Sequence, residues 1–211
     1  MKSKKYPNFD YEIGLLDKGY FLVAGVDEVG RGALAGPIVA SAVVFNPQKS
    51  FRHRNKITDS KLLSDQKRRD LVNLIKEKSI DYSIGFVNQK EIDRFGIGCA
   101  NVLAFRRALL NLKNFDFALI DGRRLLGFDY YHQCIIKGDR VSISIAAASI
   151  LAKVQRDDLM KELEKIEPKY NFDLNKGYGT KDHIKLIAKY GPGIHHRKSF
   201  LKNLNSFECL F

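Results

Sequence analysis

Cysteine is scarce in this chain of 211 residues: Cys99, Cys134 and Cys209 lie far apart in sequence. No Cys-x-x-Cys pair and no Cys/His ligand spacing occurs, which argues against zinc. An odd, sparse set suits a reducing compartment, and all three are read as structural. A secretory leader is not expected either. Met1-Lys-Ser-Lys-Lys5 is basic, but Asn8-Phe-Asp-Tyr-Glu12 follows where an apolar stretch would be needed, so a cytoplasmic protein is expected. The run from Phe21 to Phe45 comes nearest to a membrane span. Asp27, Glu28, Arg31, four glycines and Pro37 interrupt it, so no membrane association is expected. Internal repeats and low-complexity linkers are lacking too, and the length allows one large domain or one with a small appendage. Nucleotide-binding loops fail on spacing. Gly30-Arg-Gly32 is followed by Gly36, and no Gly-Lys-Ser/Thr occurs.

Apolar residues are plentiful, at 45%, so a substantial core is available and a disordered basic tail is excluded. Basic residues outnumber acidic ones 36 to 24, giving a formal charge of +12 and a pI of about 9.6. Between Lys49 and Arg69 stand eight Lys or Arg against two Asp, Asp59 and Asp65. That segment is a candidate phosphate-backbone contact, with a merely solvated face as the plainer alternative.

Residues 21–27 and 38–45 read as strands joined by a glycine-rich turn, short enough to make them antiparallel. Ser64 reads as the cap of a helix to Lys78, with Leu71, Leu74 and Ile75 as its apolar stripe. Residues 80–87 read as a third strand, and 91–114 as a helix broken near Gly96 and Gly98. Strands follow at 116–121 and 132–136. Residues 142–167 read as a long helix whose Ala146-Ala-Ala148 packs closely on the sheet, with Pro168 beyond its end. The last segment is basic and helical around Lys181–Tyr190. The pattern predicts an α/β domain with a mixed, roughly five-stranded sheet and a C-terminal helical extension. Its parts are an N-terminal extension (1–20), a catalytic domain (21–168) and an extension packed on it (169–211).

Four acids stand out against the basic background. Asp27 and Glu28 lie in Gly25-Val-Asp-Glu-Val-Gly-Arg-Gly32, Asp121 closes Phe117-Ala-Leu-Ile120, and Asp139 follows Lys137-Gly138. Each reads as lying where a strand ends. Carboxylates gathered there repel one another unless a cation sits between them. Neighbours on a strand point to opposite faces, so Asp27 and Glu28 need a strand end, a bulge or a backbone carbonyl to share one ion. Asp27 is the expected primary ligand and Asp121 the bridging one. Oxygen-only ligands select Mg²⁺ or Mn²⁺, and two such ions suit phosphodiester cleavage. The Gly30-Arg31-Gly32 turn can bring backbone close to a sugar while Arg31 reaches a phosphate, although a structural turn is the default reading. For His183, His195 and His196 the default is structural, since a metal-activated water needs no histidine base.

Seven motifs taken in order resemble bacterial ribonuclease HII. They are the Gly25–Gly32 stretch, Asp59-Ser-Lys61, Leu119-Ile-Asp-Gly122, Lys137-Gly-Asp139, Ala146–Lys153 with Arg156-Asp157, Lys176-Gly-Tyr178 and His196-Arg-Lys-Ser-Phe200. The resemblance spans about residues 21–200. It implies a ribonuclease H-like fold and a Mg²⁺- or Mn²⁺-dependent endonuclease. Such an enzyme cuts the RNA of RNA–DNA hybrids and cuts 5′ of single ribonucleotides in duplex DNA, leaving a 3′-hydroxyl. It further implies that Asp27, Glu28, Asp121 and Asp139 are the catalytic, metal-binding acids. Gly30, Arg31 and Gly32 would meet the ribonucleotide and its 2′-hydroxyl, Tyr178 would stack at the RNA–DNA junction, and Lys61 and Lys153 would touch phosphates. The related type HIII enzymes carry an extra N-terminal domain, and only about twenty residues precede the first strand here, so type HII is preferred. Nucleic acid is the expected partner and a monomer the expected state. Two other classes compete. A non-catalytic duplex binder would have no reason to keep four repelling acids, and a small-phosphate hydrolase lacks its phosphate loop and would not need the basic excess.

Overall fold

The computed structural model describes residues 6–49 and 51–202. The readings at Met1–Lys5, Cys209 and the end of the C-terminal extension lie outside these residues. Strands β1 (Val23–Val29) and β2 (Ile38–Val44) form the antiparallel pair that the short glycine turn demands, from Ala24↔Val44 to Val29↔Val39. β3 (Asp81–Val87) pairs antiparallel on the outside of β2. β4 (Phe117–Asp121) and β5 (His132–Ile135) add in parallel on the other side of β1, giving the order β3-β2-β1-β4-β5. A parallel return needs a long crossover, and a helix between β3 and β4, α3 (Gln89–Leu110), supplies it.

Both faces of the central strands are covered, which is why all seven residues of β2 are buried. Ala24, Val26, Ile38, Ala40 and Ala42 pack with Ile92, Ala104, Phe105 and Ala108 of α3. On the other face, Val43 and Phe45 meet Leu71 and Ile75 of α2 (Asp65–Lys78) and Ala146, Ala147 and Ile150 of α4 (Ile143–Ile166). A Cβ on Gly25 would lie 2.1 Å from the backbone carbon of Ser144, so α4 rests directly on β1. The alanine run predicts this close packing. Ser64 and Ser142 cap α2 and α4, accepting from the N–H of Lys67 (3.4 Å) and Ile145 (3.2 Å). α3 is kinked at Gly96 (φ 76°), one of the two glycines singled out in the sequence.

Two features were not foreseen. The first is a helix before the sheet, α1 (Asp10–Leu16), fixed by the buried Glu12, whose carboxylate accepts from Ser142 Oγ (2.7 Å) and the Ser144 N–H (3.1 Å). The second is how the C-terminal segment closes on the glycine loop. After two further helices, α5 (Phe172–Asn175) and α6 (Lys181–Tyr190), the chain returns so that Gly36 N–H donates to His195 O and Arg197 N–H to Leu34 O. A last short helix follows, α7 (Lys198–Leu201). Cys134 is half-buried, but Cys99 is exposed on α3, which corrects its reading as a packing residue. Among the described residues no helix is long and apolar enough to cross a membrane.

Candidate active site

Alternation along β1 sends its two acids to opposite faces. Asp27 turns toward α4, where the Ser149 hydroxyl favours its charged form, and Glu28 toward α3, where the Asn101 amide does the same. The strand-end expectation needs correction here. β1 keeps regular register with β2 through Glu28↔Ala40 and Val29↔Val39, with no bulge. Only on the β4 side does pairing stop, at Val26↔Ile120. Continuing that register sets Asp121 beside Asp27. Asp121 is the last residue of β4, as expected, and its Oδ1 accepts the Gly138 N–H at 2.6 Å. Asp139 does not end a strand. It sits in a single 3₁₀ turn, Gly138–Arg140, entered through Lys137 in the left-handed region (φ 59°).

The four acids are brought together, and the site's electrostatics record it. Burial first, then Glu28 and Asp121, hold Asp27 well above the ordinary carboxylate range. Burial pushes Glu28 up to about 7, against Arg31 and with Asp121. Asp121 is raised by burial, and opposed by the Gly138 N–H and by Lys61. Asp139 rises to about 6, first through burial, then through Asp59 and Asp121. Asp121 acts on the other three and is the centre of the group. As the side chains stand, no three His, Cys, Asp or Glu among the described residues close around a point that could hold an ion. The donor set still fits a hard divalent cation: it is all oxygen, buried or half-buried, and raised by burial and then by neighbouring acids, both of which such an ion would offset.

Asp59 is a fifth acid that the sequence reading assigned to the basic segment. It is buried, caps its own turn by accepting from the Lys61 N–H (3.0 Å), binds Arg140 (3.1 Å) and raises both Asp121 and Asp139. Its aspartate-then-lysine spacing within a named motif was the available signal. Lys61 faces Asp121 and Asp139. Lys153 lies one turn beyond Ser149 on α4, but its Nζ binds Asp157 at 2.6 Å. Arg31 and Gly32 are exposed, Gly30 is buried and Tyr178 is half-buried.

In the basic segment Arg68 is turned inward to the carbonyls of Ser60 and Leu63, and Arg69 is held in surface ion pairs with Asp65 and Asp158. Lys49, Arg52, Arg54, Lys56 and Lys67 stay exposed. A groove of about 850 Å³ passes the acids and is lined by Glu28, Arg31, Arg106, Asp121, Arg123 and Arg124. Arg123 and Arg124 went unremarked in sequence, although they directly follow Asp121-Gly122. His183 and His196 are buried, share a 3.1 Å hydrogen bond, and join the Tyr178 carbonyl to the Gly193 N–H. Burial, then His183, pushes His196 down to about 4.

The sequence profile described as Ribonuclease HII matches residues 24–203. A ribonuclease HII of Clostridioides difficile (strain 630) is 50% identical over 189 residues, covering 89% of this chain and 73% of that protein. The crystal structure of the ribonuclease H2 from Pyrococcus horikoshii OT3 superposes with a TM-score of 0.72 at 24% identity, covering 90% of this chain and all (100%) of that one. That of Bst-RNase HIII in complex with Mn²⁺ gives 0.64 at 20% identity, covering 90% and 70%. Fold and sequence agree: this chain has the ribonuclease H-like fold and belongs to the ribonuclease HII family of endoribonucleases.

Proposed function

We propose that this protein is a divalent-metal-dependent endonuclease that hydrolyses the RNA strand of RNA–DNA hybrids. On duplex DNA it cuts 5′ of a single embedded ribonucleotide and leaves a 3′-hydroxyl. The observation that carries the metal requirement is the group of buried and half-buried carboxylates around Asp121, each raised first by burial and further by a neighbouring acid. The Mn²⁺ bound by a structural neighbour supports it. Asp27, Glu28, Asp121 and Asp139 would hold Mg²⁺ or Mn²⁺. When bound, these ions supply an activated water at neutral pH and stabilise charge on the leaving oxygen.

The chain's own residues orient and bind. The Gly138 N–H fixes Asp121 before substrate arrives, and the Ser149 hydroxyl favours the charged form of Asp27. Arg31 projects into the groove, where a phosphate is its natural partner. Gly32 has open space where a Cβ would stand, so backbone can approach a sugar closely enough to read its 2′-hydroxyl. Tyr178 presents its ring for stacking at the junction. Lys61 neutralises charge beside Asp121 and Asp139, while Lys153 would have to leave Asp157 to reach a phosphate. The exposed bases Arg52, Arg54, Lys56, Arg123 and Arg124 would carry the duplex backbone. Residues 21–168 and the C-terminal segment then act as one unit, since the latter is hydrogen-bonded to the glycine loop.

The test is a DNA duplex holding one ribonucleotide, incubated with Mg²⁺ and then with EDTA. A single cut on the 5′ side, lost in EDTA, is expected. An intact duplex in both Mg²⁺ and Mn²⁺, or cutting that EDTA leaves unchanged, would refute the proposal.

A further inference from the structure

Past Lys153, α4 carries Arg156 into the interior, where it is 0% exposed. A buried guanidinium must find acceptors. Arg156 finds three main-chain carbonyls: Pro37 through Nε (3.0 Å), Lys176 through Nη1 (2.8 Å) and Ala35 through Nη2 (3.2 Å). Two belong to the loop between β1 and β2, and the third to the turn that leads into Tyr178. The guanidinium carbon also lies 5.2 Å from the centroid of the Tyr178 ring, in cation–π range. A Cβ on Gly30 would come within 2.1 Å of Arg156 Nε, so the first glycine of Gly30-Arg31-Gly32 also rests against this side chain. The neighbouring acid is occupied elsewhere, because Asp157 holds Lys153.

Arg197 is equally buried, but among the described residues its side-chain hydrogen bonds go only to the glycine loop, at Gly36 O (3.0 and 2.8 Å) and Arg31 O (3.0 Å), and its guanidinium lies over Phe200. Arg156 alone of the two touches both loops. One planar group thus fixes the distance between the turn proposed to read the sugar and the tyrosine proposed to stack beside it.

We propose that Arg156 is the positioning residue that sets Tyr178 against the Gly30–Gly32 turn, and so determines how well the enzyme selects a lone ribonucleotide in duplex DNA. This rests on the function proposed above. A lone ribonucleotide offers one productive register, so a small displacement of Tyr178 is felt in full. A long hybrid offers many registers and tolerates it better. Lysine at position 156 would keep the charge but lose the flat, forked donor array that meets three carbonyls and a ring at once.

The experiment compares Arg156→Lys with the unaltered protein on a single-ribonucleotide duplex and on a long RNA–DNA hybrid, in the native and the Tyr178→Ala backgrounds, with thermal unfolding of each variant. On the single-ribonucleotide duplex kcat should fall at least about tenfold with KM little changed, and on the hybrid less than about threefold. With Tyr178 already replaced, Arg156→Lys should add less than about twofold, because the two residues act in series. Equal losses on both substrates, or full additivity with Tyr178→Ala, would overturn the proposal. So would failure of Arg156→Lys to fold, since the residue would then be a scaffold element with no separable effect on selection. Unaltered protein that cuts neither substrate would bring down the proposed function and this inference with it. Unaltered protein that cuts both, beside an Arg156→Lys that loses equally on both substrates or on neither, contradicts the role of Arg156 alone.

Discussion

Behind the glycine loop, Arg156 and Arg197 are wholly buried, and each carries three hydrogen bonds to main-chain carbonyls at 2.8–3.2 Å. At the junction of β1 and β4 the buried and half-buried charges are carboxylates, gathered around Asp121. Burial pushes Glu28 to about 7 against the pull of Arg31, and burial with Asp59 and Asp121 pushes Asp139 to about 6. The two regions show what a fold does with charge it removes from water. Where the protein provides the partners, the charge holds loops in place. Where it leaves like charges together, the partner we propose is a ligand of opposite sign.

Substitutions should therefore act oppositely in the two places. Asp121→Asn should lower cleavage by more than about a thousandfold, since several kcal/mol of transition-state charge stabilisation are lost with a central ligand. Its metal-free stability should equal or exceed that of the unaltered protein, because repulsion is relieved. Assays of cleavage and of urea unfolding in EDTA read both halves, and a poorly folded Asp121→Asn would count against the comparison. Arg197→Met should do the reverse: it should cost on the order of 3 kcal/mol of stability by leaving the carbonyls of Gly36 and Arg31 unpaired in the interior. Denaturant midpoints measure this directly, and a loss within experimental error would show that those bonds are dispensable.

A smaller effect follows from pH. In the metal-free protein the pKa of Glu28 is raised from its ordinary 4.5 to about 7. Protonation thus favours the folded state, and the stability it contributes is present below about 4.5 and lost as pH rises through about 7. Glu28→Gln removes that loss, so its stability relative to the unaltered protein should grow between pH 5 and pH 8 in EDTA. A difference that stays flat across this range would mean that burial does not raise Glu28. Smallest is the effect of the outer surface. Replacing Arg52, Arg54 and Lys56 by glutamine should flatten the dependence of log affinity on log salt by up to about three units, near one for each phosphate no longer neutralised. An unchanged slope would make that segment a solvated face.

Hydrophobic pattern and turn chemistry made the scaffold legible. The hairpin of β1 and β2, the capped helices after Ser64 and Ser142, and the kink at Gly96 all follow from local signals. The acids at positions 27, 28, 121 and 139 were legible as a set, because acids inside or just after apolar runs are costly without a purpose. Long-range placement was not. Beyond its place in the Asp59-Ser-Lys61 motif, nothing local says that Asp59, in a basic stretch, returns to the acids, and nothing says that Arg68 turns inward while Arg69 pairs with Asp158. The burial of Arg156 and Arg197 was equally hidden, since an arginine reads as a surface residue until the carbonyls that surround it are known. α1 depends on one buried carboxylate that finds Ser142 and Ser144 some 130 residues away, a pairing no periodicity encodes.

The central claim is that the carboxylates around Asp121 await a divalent cation. The most direct measurement is the unfolding temperature of the protein, without nucleic acid, as Mn²⁺ is titrated in at pH 7, for the unaltered chain and for Asp121→Asn. A ligand that binds only the folded state must stabilise it in proportion to the logarithm of its concentration once the site fills. The unfolding temperature of the unaltered chain should climb steadily with Mn²⁺, and that of Asp121→Asn should stay nearly level. Parallel responses of the two proteins, or none from either, would contradict the account.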